Sequence, residues 1–134
     1  MDLTYQTEEE IIPFCDKNNI GFIPFSPFCQ GLLTGQKLKL EDFVFDEKDF
    51  RKKNPELSGE KLQKNLNLVK KLLEVSKKIG KPLSQVVLNW LIMDKRVSTI
   101  IAGPTKISEV LDNIASTEWS LGDNYYMEIN KLID

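Results

Sequence analysis

The sequence predicts an α/β fold, predominantly helical, with two parallel strands and about five helices in a single domain over residues 1–134. Two observations carry this expectation. Two short apolar runs rich in β-branched and aromatic residues, "IGFIPFS" from Ile20 and "VSTIIAG" from Val97, are each bounded by turn residues, as a short buried strand would be. Between them lie segments whose apolar residues recur at three and four, the period of an amphipathic helix. Strands separated by helices pair in parallel through a right-handed crossover.

In chain order, "EEEIIPFCDKNN" sets Ile11, Ile12 and Cys15 behind a run of acids that suits the positive end of a helix dipole, and predicts a short helix ending near Asn18 and Asn19. The first strand follows. Pro24 has no N–H to give, so an edge position or an incomplete ladder is allowed for. From Gly31 to about Leu57 the pattern is mixed and reads as a long surface excursion; loops of this length are usually functional or mobile. Leu62, Leu66, Val69, Leu72, Leu73 and Ile79 then share one face opposite a lysine-rich one, which predicts a helix over 59–79 stopped by Gly80 and Pro82. "LSQVVLNWLIMD" is apolar on most of its circumference and predicts a deeply packed helix. The second strand is expected over Val97 to Ala102. A helix from about Ile107 carries Ile107, Val110, Leu111 and Ile114 on one side, and a last helix starts near Asp123. A two-stranded parallel sheet is too small to stand unaided, so its edges and apolar faces invite a partner, with a homodimer through the strand edges as one solution.

Composition narrows the function. The chain is 41% apolar and 28% charged, an ordinary globular balance. Eighteen basic against twenty acidic residues leave a net charge of -2 with neither sign gathered on one segment, which argues against a nucleic-acid partner. No run approaches a membrane span, so no membrane partner is expected. The opening "MDLTYQTEEE" lacks the basic start and apolar core of a signal peptide, so the expected location is cytoplasmic and Cys15 and Cys29 are expected as reduced thiols. There is no histidine, which removes the commonest acid/base group and the commonest metal ligand together. Tyr5, Tyr125, Tyr126 and the lysines form no couple fixed by spacing, so neither a catalytic residue nor a metal ligand is nominated.

Each expected strand runs into Gly and hydroxyl residues at its carboxyl end, "SPFCQG" and "GPTKISEVLDN". In parallel α/β architectures that edge is where ligands bind. Backbone N–H groups around Gly103 to Lys106, with Thr105 and the following helix start, suit a phosphate; an ordinary turn has the same pattern. Phe25 and Phe28 around Ser26 offer a face for stacking on a planar ring, or are core residues. Glu109, Asp112 and Asn113 suit hydrogen bonds to an amine-bearing base or a ribose, or are surface polar groups. Arg51 opens "RKKNPE", either a phosphate contact or a solvated charge run.

The stretch "GFIPFSPFCQGLLTG" resembles the strand-seven motif of the aldo-keto reductases, of the form G-V-x-x-Y-S-P-L-x-x-G-L-L-T-G. The likeness continues in order through "DFRKKNPELSGEKLQKNLNLVKKLLEVSKKIGKPLSQVVLNWLI" and "STIIAGPTKISEVLDNIAS", from about Glu8 to Ser120. It implies the carboxyl-terminal portion of a (β/α)₈ barrel, strand seven onward, that binds NADPH, or less often NADH, across the carboxyl ends of the strands. By resemblance Phe25 stacks on the nicotinamide. Ser26, Phe28 and Gly31 contact the pyrophosphate and nearby sugar, Arg51 lies in the loop over the dinucleotide, and Gly103, Thr105, Glu109, Asp112 and Asn113 surround the adenosine phosphate and adenine. Ala102 stands in place of the usual Pro, Pro104 in place of a small residue, Glu109 where Gln is common and Gln36 where a basic residue is frequent. The family's Asp, Tyr, Lys and His tetrad belongs to the amino-terminal part of the barrel. The resemblance therefore implies a weak or vestigial NADPH site, inactive alone, with a second copy or a missing barrel half as partner.

Overall fold

The longest apolar stripe in the chain sets the architecture. The computed structural model describes residues 7–133, and in it α2 (Gly59–Ile79) buries Leu62, Leu66, Val69, Leu72 and Val75 along one face. Glycine ends it: Gly80 takes the left-handed conformation at φ 72°, and its N–H and that of Lys81 donate to the Ser76 carbonyl. The Ser76 hydroxyl returns a bond of 2.5 Å to the Lys81 carbonyl, so the turn into α3 (Leu83–Met93) is closed from both sides. α3 buries six of its first seven residues, two of them the polar Gln85 and Asn89. Two further helices complete the scaffold, α4 (Ile107–Ala115) and α5 (Asp123–Ile133), and a short α1 (Ile12–Lys17) follows a π-helical turn at Thr7–Ile11.

The core lies between α2, α3 and α5. The excursion from Gly31 supplies its fourth wall: it is organised as four 3₁₀ turns, Leu32–Thr34, Leu40–Phe43, Phe50–Lys53 and Pro55–Leu57, and sends Leu32, Leu33, Phe43 and Leu57 inward. Gly35 permits the closest approach. At φ 72°, a Cβ there would fall 2.9 Å from Leu73 and 3.2 Å from Leu83, so at this position the excursion can lie close to the helices only with glycine. Cations stack on its aromatic rings, with the Arg51 guanidinium 4.6 Å from the Phe45 ring centre.

The expectation of two buried parallel strands is corrected. Among the described residues there is no strand. The two apolar runs do lie side by side in parallel, but they touch only through isolated bridges, Phe22 with Val97 and Phe25 with Ile101. Two backbone bonds mark the register, Ser98 N–H to the Phe22 carbonyl at 2.9 Å and Ile101 N–H to the Pro24 carbonyl at 3.0 Å. Pro24 accepts but has no N–H to return, which breaks the ladder at its centre. Nor are the runs buried: Ile20, Ile23, Phe25 and Ile101 are all exposed. Burial is what holds a short parallel pair in regular form, and none is supplied here.

α3 also carries a polar clamp that holds α4 and the chain from Ser116 to Leu121. Asn89 donates to the carbonyls of Ser116 and Trp119 and accepts from the Leu121 N–H at 3.0 Å. Gln85 donates to Asp112 at 2.7 Å and accepts from the Trp119 indole at 3.1 Å. Ser84 donates to the other oxygen of Asp112 at 2.5 Å.

Replacing Asn89 by Ala strands a buried N–H and two carbonyls, so urea unfolding should show a loss of about 3 kcal/mol with an unchanged slope. A loss below about 0.5 kcal/mol would show that the clamp contributes nothing to stability.

Candidate functional site

The parallel bridges bring the carboxyl ends of both apolar runs to one edge, so Phe25 and Ser26 stand next to Ile101 and the chain leading to Gly103. From Phe25 the backbone enters an unusual turn. Ser26, Cys29 and Gln30 have φ of 54°, 46° and 56°, and Gly31 follows at 100°. A left-handed conformation costs a non-glycine residue roughly 1–2 kcal/mol. Buried anchors offset that cost: Pro27, Cys29, Leu32 and Leu33 are all in the interior, and the turn closes on itself with Cys29 N–H to the Ser26 carbonyl and Leu33 N–H to the Phe28 carbonyl. Gln30 is held from outside by Asn54, whose amide donates to it at 3.1 Å.

The predicted site residues divide into two groups. Phe25 is 72% exposed, which rules out the core reading for its ring. Ser26 is exposed beside it, and no atom lies within 4 Å of a Cβ built on Gly31, so there is open space over that backbone. Phe28 is different: it is half-buried and packs on the core, the bland reading of its ring.

The second group is already engaged. Arg51 is paired with Asp49, its Nε at 3.0 Å from Oδ1 and its terminal nitrogen at 2.6 Å from Oδ2. That side-chain bond and the Arg51 N–H hold the Asp49 carboxyl below its ordinary range. Glu109 accepts from the Thr105 N–H at 2.7 Å and from the Thr105 hydroxyl at 3.1 Å, so a carboxylate of the chain itself occupies the donors expected to meet a phosphate. The backbone bond from Thr105 is the main reason that the Glu109 carboxyl is held below its ordinary value. Asp112 is spent on Ser84 and Gln85, and the Asn113 carbonyl accepts from the Ser116 hydroxyl at 2.6 Å. Gly103 is exposed with open space around it.

An open basin of about 960 Å³ runs along the bridged pair. Phe25 and Ser26 line it, and so do Gln30, Lys61, Arg96 and Trp90. Spacing along the chain pointed to none of the last four, because the fold gathers them from four separate elements. Neither Gly103 nor any residue of α4 faces this basin, so the structure brings together Phe25 and Ser26 but not the adenosine-side residues. Among the described residues no three His, Cys, Asp or Glu side chains gather as a metal site, and no helix is long and apolar enough to cross a membrane. Tyr5 lies outside the described residues.

Comparison with known proteins bears on this geometry. The model of the aldo/keto reductase family matches residues 2–134. A probable aldo-keto reductase 1 of Glycine max is 29% identical over 94% of this chain and 36% of its own length. The aldo-keto reductase yakc of Schizosaccharomyces pombe, whose name carries NADP(+), is 29% identical over 92% of this chain and 36% of its own. The chain thus spans little more than a third of these relatives. The solved structure of a glycerol dehydrogenase from Gluconobacter oxydans superposes with a TM-score of 0.83 at 24% identity, over 95% of this chain and 38% of that one.

The Glu109 cap has a pH signature. Its carboxyl is depressed in the folded state, so the Thr105 bonds persist above the ordinary value of 4.5 and are lost as pH falls through the lower folded value. The amide resonance of Thr105 should titrate with a midpoint below 4.5, and the titration should vanish in Glu109→Gln. A midpoint at or above 4.5 would rule out the bond.

Proposed function

The chain belongs to the aldo/keto reductase family, and from that premise we propose that it retains part of an NAD(P)H site and is not catalytic by itself. The observation that carries this reading is Phe25, an exposed aromatic face at the carboxyl end of a parallel pair, beside a left-handed turn with open backbone at Gly31. That arrangement suits the nicotinamide end of a dinucleotide, with Ser26 and the turn's backbone toward the pyrophosphate. The fit is uneven. Arg51, Glu109 and Asp112 already have partners in the chain, so an adenosine phosphate would have to displace those bonds, and weak binding is the expected result. The cofactor would supply hydride when bound. This chain's residues would bind and orient it. With no histidine in the 134 residues, they do not provide a tetrad that includes one.

A second reading has its own support: the chain superposes over 95% of its length on a protein of which it matches 38%, the relation of a part to a whole. On that reading it is the carboxyl-terminal part of an NADPH-dependent carbonyl reductase, active when the rest of the barrel is supplied.

Titration with NADPH should quench Trp90, which lines the basin, with a dissociation constant on the order of 1 mM, while Phe25→Ala weakens binding about tenfold without altering the circular dichroism. No carbonyl reduction should accompany binding. An unchanged fluorescence and no heat at several millimolar cofactor would defeat the dinucleotide reading.

A further inference from the structure

We propose that α4 is a latched flap: residues 102–115 swing away from the helical body and unwind as one unit while the core stays closed, and the latch is the Asp112 side chain on Ser84 and Gln85. The proposal is independent of the dinucleotide reading, because flap and latch are properties of the free chain.

Two fixed points bound the flap. Upstream, the Ile101 N–H donates to the Pro24 carbonyl at 3.0 Å. Downstream, Ser116 is fully buried and its carbonyl accepts from Asn89, which also holds Trp119 and Leu121. Between these points the body has little grip on the chain. No residue of 102–115 is buried, and none belongs to the apolar core. Glu109, Asp112, Asn113 and Ala115 are the residues of α4 that are not exposed, so its inward side is polar except for one alanine. Among the described residues, the hydrogen bonds from this stretch to α3 are the two that Asp112 accepts, 2.5 Å from the Ser84 hydroxyl and 2.7 Å from the Gln85 amide.

Releasing that latch uncovers almost no apolar surface, so the hydrophobic effect that keeps a core helix in place does not oppose it. The freed helix does not persist. Its nine residues are fewer than the roughly 12–15 that an isolated helix needs in water, which makes undocking and unwinding one event. Gly103 frees the upstream end, being exposed with nothing within 4 Å of an added Cβ. α3 survives the opening: Ser84 is half-buried and within reach of water, and Gln85 keeps the Trp119 indole at 3.1 Å. Because the stretch carries Thr105, Glu109 and Asn113, one latch decides whether all three are fixed relative to the Phe25 turn.

Native-state hydrogen exchange of the full chain, read residue by residue in urea well below the unfolding midpoint, tests this. The amides of Leu111 to Ala115 should be protected at least about a hundredfold less than those of α2, with little dependence on urea, the mark of an opening that exposes little surface. Ser84→Ala removes one latch bond from the α3 side, at a position where alanine suits the helix, and should lower the protection of those amides about tenfold while leaving α2 and α3 unchanged. Asp112→Asn, whose single carbonyl oxygen cannot accept both bonds in the same way, should do the same. The proposal is overturned by α4 amides protected as strongly as those of α2, by a urea slope equal to that of global unfolding, or by a Ser84→Ala effect of the same size in α2 and α4. A weakly protected α4 indifferent to both substitutions would likewise overturn it.

Discussion

The polar residues of α3 are the constraint on which the outer half of the molecule depends. Ser84, Gln85 and Asn89 stand on a helix that is otherwise apolar where it meets the core. Burying amide side chains in such a place is costly unless each donor and acceptor finds a partner. Here they do: Asp112, the carbonyls of Ser116 and Trp119, the Leu121 N–H and the Trp119 indole satisfy them. The arrangement replaces hydrophobic packing as the means of attaching α4, which contributes no buried side chain. Attachment by hydrogen bonds is directional where apolar packing is not, and so it fixes which face of α4 looks outward.

The same division explains the candidate site. The core cluster is built from Cys29, the excursion after it, α2, α3, α5 and Leu121, and it includes no residue of either bridged run, of α1 or of α4. The bridged runs are therefore peripheral to a helical body. Phe25 owes its position to its neighbours in sequence, the buried Pro27, Cys29, Leu32 and Leu33, which hold the left-handed turn against its backbone cost. Thr105 and Glu109 owe theirs to α4 and thus to the α3 clamp. Two independent supports hold the two halves of one proposed cradle, so either half can keep its geometry when the other loses a partner.

Much of this was legible in the sequence, and the exceptions share a cause. α2, α3 and α5 follow from period and glycine signals, because a helix closes its own backbone bonds and needs only one face covered. The Gly80 stop and the start of α5 at Asp123 agree with the expected positions. The strands failed because a strand's backbone bonds belong to its neighbours, and here each run has one neighbour and a proline at the centre of the register. α4 was legible as a helix but not in its orientation, since periodicity identifies a face without saying what covers it. In the site, the exposure of Phe25 excludes the core reading that spacing left open. Arg51, Glu109 and Asp112 show the opposite limit: residue type and position suit a ligand, but pairing with Asp49, Thr105, and Ser84 with Gln85 is a property of the folded chain alone.

These pairings share a physical cause. Charged and donor groups gain free energy from any carboxylate within reach. Arg51 has Asp49 two residues away and Thr105 has Glu109 four residues on, both local contacts that cost little chain entropy to form. Phe25 is 72% exposed, and no residue of its run joins the core cluster. Chemical type and distance along the chain thus decide which of these groups find a partner close by.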